Sequence, residues 1–152
     1  MNVTDIAPSR LERSKKFARK LVEKLQGERV GVIIFAGNAY VHMPLTIDYS
    51  AASLFIDSAN PDQILTQGTA IKSAISVAEM SFEEDNDQHK ALIIISDGEN
   101  HDEEAIAKAK KANEKGMLIF TVGAGTAEGG YVPINYGGYS DYKRDKFGDL
   151  VR

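Results

Sequence analysis

Apolar positions along the chain follow two rhythms that take turns. Leu11, Ser14, Ala18, Leu21, Val22 and Leu25 recur at helical spacing, with Lys15, Lys16, Arg19, Lys20 and Lys24 on the opposite face. Pro8 and the capping-box pattern Ser9-Arg10-Leu11-Glu12 open this helix, and Gly27 is its natural stop. Residues 29–35 are then β-branched and almost continuously apolar, as in a strand covered on both faces. Gly37-Asn38 tolerates a tight turn and 39–43 returns, so the pattern predicts a hairpin that ends at Pro44. Residues 50–60 read as a short helix with Leu54, Phe55 and Ala59 inward, closed by Asn60-Pro61. After a polar loop, 69–82 forms a helix with Ile71, Ala74, Ile75 and Ala78 on one face. An acidic connector at 83–87 leads into a second buried strand at 90–95, an alanine- and lysine-rich helix at 103–115 stopped by Gly116, and a third buried strand at 117–122. From Gly123 to Gly138 the chain is glycine-rich with Tyr131 and Tyr136, and 139–152 reads as a polar hairpin around Lys146-Phe147-Gly148-Asp149.

Alternation of strand and helix predicts an α/β fold: a doubly wound, Rossmann-like, mostly parallel sheet with helices on both faces. With 152 residues, no repeats and no linker, the chain is expected to form one domain, 1–152. The balance of 18 Lys+Arg against 22 Asp+Glu gives a formal charge of -4, which argues against a nucleic-acid partner. The absence of cysteine excludes disulfides, zinc–thiolate sites and Cys nucleophiles. No apolar run is long enough for a membrane span, and the N-terminus lacks the apolar core of a signal peptide, so the chain is expected to be soluble.

Ligands in such sheets gather at the carboxyl ends of the strands. Asp97 stands at one such end, and Thr66, Gln67 and Thr69 precede the helix leading to that strand. A carboxylate with hydroxyls and no nitrogen or sulfur ligands suits a hard cation such as Mg²⁺. A simpler reading has Asp97 capping the following turn and Thr69 capping its own helix. Asp97-Gly98-Glu99 at a strand end also suggests an enzyme of another class, a phosphate-ester hydrolase with Asp97 as nucleophile, although the second residue of such a pair is Glu99 and not Asp. Gly123-Ala-Gly125-Thr-Ala-Glu-Gly129 has the glycines of a dinucleotide loop, but the following Gly130-Tyr-Val-Pro cannot begin the helix that loop requires. His42, His89 and His101 are scattered and not spaced as ligands. Glu99 reads either as a rim residue or as an exposed acid near a helix start. The tyrosines between 130 and 142 form either a contact surface or simply the packing of the hairpin.

Taken in order, Arg29-Val-Gly-Val-Ile-Ile-Phe-Ala36, Gln67-Gly-Thr-Ala-Ile71 and Ile93-Ile-Ile-Ser-Asp-Gly-Glu-Asn100 resemble a von Willebrand factor A (VWA) domain. Pro8-Ser-Arg-Leu-Glu-Arg13 and His42-Met-Pro-Leu-Thr-Ile-Asp-Tyr49 resemble in particular the bacterial BatA/BatB group, named for aerotolerance. The resemblance implies a metal-ion-dependent adhesion site (MIDAS) in which Thr69 and Asp97 help hold a divalent ion, usually Mg²⁺, whose open position accepts a carboxylate from a protein partner. It implies a non-catalytic interaction or scaffolding module in a bacterial inner-membrane-associated complex, facing the periplasm, with other subunits of that complex as partners.

The chain departs from the family pattern in one respect that bears on the metal. The family's Asp-x-Ser-x-Ser loop is missing, and Asp48-Tyr49-Ser50-Ala51-Ala52 has Ala where the second Ser belongs and lies at the wrong point in the order. Met1 matches the Met that commonly follows that loop. The resemblance therefore implies a partial VWA domain lacking the first central strand and the last helix, either truncated or degenerate, with an incomplete metal site. Without the central strand, two apolar edges would be exposed, and self-association, including domain swapping, is expected.

Overall fold

The computed structural model describes residues 1–60, 70–82, 89–98, 103–136 and 139–151. Helix α1 spans Arg10–Val22. The Ser9 hydroxyl accepts from the Glu12 amide at 3.2 Å, the expected half of a capping box. The reciprocal half is replaced by an ion pair, with Glu12 Oε1 2.9 Å from Lys15 Nζ. Two further amides of the first turn are satisfied by the preceding segment folding back: Arg10 N–H donates to the Val3 carbonyl and Leu11 N–H to the Met1 carbonyl, both at 2.9 Å. The helix ends before its apolar repeat does, because the amides of Lys24 and Leu25 tighten onto Leu21 and Val22.

Strands β1 (Val30–Phe35) and β2 (Ala39–Thr46) form the expected antiparallel hairpin. Pro44 does not end β2. The register slips so that Val30 faces Thr46 while Val32 faces Met43, and the extra residue of this bulge leaves room for a proline that cannot donate. Helix α2 (Tyr49–Ser58) is capped by the Asp48 carboxylate, which accepts from the Ala51 amide at 2.9 Å. The expected inward face of α2 is corrected: Ala52 and Ile56 are buried, while Leu54 is 72% exposed and Phe55 half-exposed. One helical turn separates Ala52 from Ile56, and Leu54, midway between them in sequence, falls on the far side.

Helix α3 (Ile71–Ser81) buries Ala74, Ile75 and Ala78, three positions of the predicted face. Strands β3 (Lys90–Ser96) and β4 (Met117–Gly123) pair in parallel, joined through helix α4 (Glu103–Glu114). Strands β5 (Pro133–Tyr136), in the glycine-rich stretch, and β6 (Tyr139–Tyr142), at the start of the segment read as a polar hairpin, pair with each other. Beyond it, Asp145 Oδ1 accepts from the amides of Phe147 and Asp149, and an Arg144–Leu150 bridge closes the turn predicted around 146–149.

Two cores result. Val22, Met43, Ala52 and Ile56 close over Val30 and Val32 on one face of β1; Ile75, Ala78, Ile94, Ala112 and Met117 take up Ile33 and Phe35 from its other face. Helices thus cover β1 on both sides. On the β3–β4 sheet, Ile93, Leu118 and Phe120 remain exposed on the side away from the second core, Phe120 by 54%. Among the described residues β1 hydrogen-bonds only to β2, and β3 only to β4.

Candidate functional site

Asp97 follows β3 immediately, at the carboxyl end where the fold places ligands. It is the centre of a compact charge network. The α-ammonium of Met1 lies 2.7 Å from Asp97 Oδ2, and Arg10 Nη1 lies 3.8 Å from the same oxygen. Arg10 in turn forks onto Asp5, with Nε 2.9 Å from Oδ1 and Nη2 3.0 Å from Oδ2. Asp5 Oδ2 also accepts from the Thr126 amide at 2.8 Å and from its hydroxyl at 3.2 Å. The side chains are largely out of solvent, at 9% exposure for Arg10, 4% for Asp5 and 10% for Asp97.

Burying charges is costly unless they are paired and hydrogen-bonded, and the fork of Arg10 onto Asp5 meets both conditions. The Arg10 fork, reinforced by the Thr126 amide, holds the Asp5 carboxyl far below the usual carboxylate range, against the opposing effect of burial. Three parts of the chain meet here: the segment before α1, the turn after β3 and the loop after β4. Close approach is made possible by glycine. A Cβ on Gly130 would lie 2.6 Å from Val3 Cγ1 and 2.9 Å from Asp5 Cβ, and one on Gly125 would lie 3.2 Å from the Arg10 guanidinium.

Among the described residues, the remaining candidates do not converge on this site. Thr69, Thr66, Gln67, Glu99 and His101 lie outside the described residues. Helix α3 begins with Ala70 at its cap position and without a side-chain cap bond, the Ala70 amide donating instead to the Ala36 carbonyl at 2.6 Å. The turn that Asp97 was considered to cap, at 99–102, lies outside the described residues. His42 Nε2 lies 2.9 Å from the Ser58 hydroxyl, edge-on to Tyr40 and Phe55. His89 is exposed before β3. Tyr131 packs against Tyr142 with ring centroids 5.6 Å apart, which favours the packing role for these two. A strand, β5, and not a helix follows the 123–129 glycines, as the dinucleotide argument required.

A hard dication needs carboxylate or hydroxyl oxygens that are not already neutralised. Among the described residues no three His, Asp or Glu side chains gather as a metal cluster. At Asp97 a metal would face the Arg10 guanidinium, whose Nη1 is 3.8 Å from Oδ2. The described residues do not fit the ion that the family resemblance implies.

Asp5, Arg10 and Thr126 were not legible as site residues. Arg10 reads as the polar start of an amphipathic helix, and no local spacing links Asp5 to Thr126, 121 positions away. The one available signal was Asp5 itself, a carboxylate close before an arginine at a helix start.

Residues 1–99 match the von Willebrand factor type A domain family. The fold superposes on BatB from Bacteroides thetaiotaomicron with a TM-score of 0.92 and 42% identity, covering 99% of this chain and 73% of that one. It superposes on an aerotolerance-related membrane protein from Bacteroides fragilis with a TM-score of 0.91 and 39% identity, covering 99% and 74%. A UPF0353 protein of Mycolicibacterium vanbaalenii is 29% identical over 147 residues, 89% of this chain but 44% of that protein. The chain therefore spans less than half the length of these curated relatives. The mussel byssus proximal thread matrix protein 1, with a zinc-occupied MIDAS motif, shares the fold at 22% identity and a TM-score of 0.66. On the match over 1–99 and the α/β architecture that accompanies it, the chain belongs to the von Willebrand factor type A domain family.

Proposed function

We propose that this domain is a non-catalytic protein–protein interaction module of a bacterial inner-membrane-associated complex, exposed to the periplasm. The observation that carries this reading is the likeness to BatB over 99% of the chain at 42% identity. The name of the Bacteroides fragilis neighbour as a membrane protein supports the setting. No helix among the described residues is long and apolar enough to cross a membrane, so attachment would come from segments or subunits outside this domain. Its partners are other subunits of the complex and further copies of the chain itself.

Thr69 and Asp97 mark where the family's Mg²⁺ site would be. In this chain we propose that Asp97 binds metal weakly, because its carboxylate is already paired with a cation of the same chain. The alternative hydrolase needs Asp97 as an accessible nucleophile, whereas the carboxylate is 10% exposed and faces the Arg10 guanidinium.

The test is co-purification of the intact membrane protein with its neighbouring subunits, with and without this domain, and with Asp97→Ala. Loss of subunits on deletion, and retention with Asp97→Ala, is the expected result. Retention after deletion would overturn the interaction role. Phosphate-ester turnover that Asp97→Asn abolishes would replace it with the hydrolase.

A further inference from the structure

The arrangement around Asp97 does more than leave a metal site incomplete. We infer that Arg10 is a built-in counter-cation for Asp97, taking the charge-balancing place that a divalent ion has in the family and excluding such an ion from this carboxylate. The inference rests on reading Asp97 as the family's metal position, and on nothing about which partner the domain binds.

The guanidinium is not a mobile surface group that could swing aside. Its fork is spent on Asp5, whose own remaining capacity is taken by the amide and hydroxyl of Thr126. Arg10 opens α1, and its amide is tied to the Val3 carbonyl at 2.9 Å, so the backbone that carries it is fixed as well. A Cβ on Gly125 would lie 3.2 Å from the guanidinium carbon, so any side chain there would press on it. The positive charge is therefore held with its Nη1 3.8 Å from Asp97 Oδ2 by contacts that do not involve Asp97. A dication bound to that carboxylate would sit within a few ångström of a fixed positive charge. Even with a high effective dielectric, repulsion at that separation lowers affinity by about tenfold or more. Lysine in the same place would preserve the charge but could not make the planar fork.

The experiment is Mn²⁺ binding to the full chain, followed by water-proton relaxation, with far-UV circular dichroism and cooperative unfolding as checks of folding. Asp5→Asn combined with Arg10→Gln removes both buried charges while leaving hydrogen-bonding groups in place. This variant should bind Mn²⁺ about tenfold tighter than wild type, and Asp97→Asn added to it should abolish the gain. Arg10→Lys should lose stability yet bind Mn²⁺ as weakly as wild type, a separation that a purely structural arginine would not produce. Unchanged affinity in the neutral pair, a gain that survives Asp97→Asn, or a gain in Arg10→Lys equal to that of the neutral pair would each overturn the inference. Should the neutral pair fail to fold, the wild type carries the comparison alone: it should bind Mn²⁺ no tighter than its Asp97→Asn variant, and a loss of affinity on that substitution overturns the inference. None of these readouts involves a protein partner, so failure of the interaction role would leave them standing.

Discussion

Asp5 gives the folded state a dependence on pH that can be assigned to one residue. Its ordinary carboxyl pKa of 3.8 is lowered far in the folded chain, chiefly by the Arg10 side chain and then by the Thr126 amide. A depressed folded-state pKa means that the unfolded chain takes up the proton first. The stabilisation is complete above the unfolded value and drains away as pH falls from about 4 toward the folded value. In thermal unfolding followed from neutral pH to about pH 2, wild type should lose its midpoint steeply below about pH 4, and Asp5→Asn should fall less steeply there while running parallel above about pH 5. Glu79, lowered chiefly by Lys108, contributes in the same direction in both proteins. At this scale the sequence was partly readable. Asp97 could be picked out because strand ends are where carboxylates gather around ligands. Arg10 and Thr126 could not, because what makes them matter is a contact across the whole chain, and periodicity carries no record of that.

Among the secondary-structure elements, helix α3 has the central position: it packs on both β1 and β2 and against α4. Ile75, 1% exposed, is the largest of its fully buried side chains. Ile75→Ala should cost about 2–5 kcal/mol in urea unfolding, since a cavity between α3 and the strands cannot collapse from both sides. The elements themselves were mostly visible in the pattern: the α3 face, the β1–β2 hairpin and the two apolar strands lie where the apolar rhythm put them. Pro44 and Leu54 show why some detail was not. A bulge changes the meaning of a proline without altering the residues around it, and in α2 alanine and a single isoleucine outweigh two larger apolar residues because tertiary packing chose that face. Pairing of β5 with β6 had no apolar alternation to announce it.

At the scale of the whole molecule, the exposed face bearing Leu118 and Phe120 and the edges of β1 and β3 that pair with no second strand among the described residues are the features most open to other chains. Unpaired edges of apolar strands are templates for pairing, and self-association through them is expected. Sedimentation equilibrium over a wide concentration range should show reversible association, with a thermal midpoint that rises with protein concentration. Charged substitution of Leu118 and Phe120 should weaken it, and a monomer that persists at high concentration would remove self-association from the proposed role. Fold class was legible because alternating strands and helices admit few topologies. The division of the described strands into three two-stranded sheets was not, since strand patterns do not name their neighbours.

The charge network also imposes an order of events on synthesis. Asp5 and Arg10 leave the ribosome early, yet Thr126 lies 121 positions later. At cellular elongation rates of about 5–20 residues per second, the two acidic and basic groups wait roughly 6–24 s before their last partner exists. Until then the Asp5–Arg10 pair at the start of α1 lacks its Thr126 partner, and residues 1–10 are less firmly held against solvent and any chaperone that meets them. The nascent chain is therefore held unlatched until β4 and the loop behind it have emerged, and interruption of translation before that point should yield a product whose first ten residues remain accessible to protease.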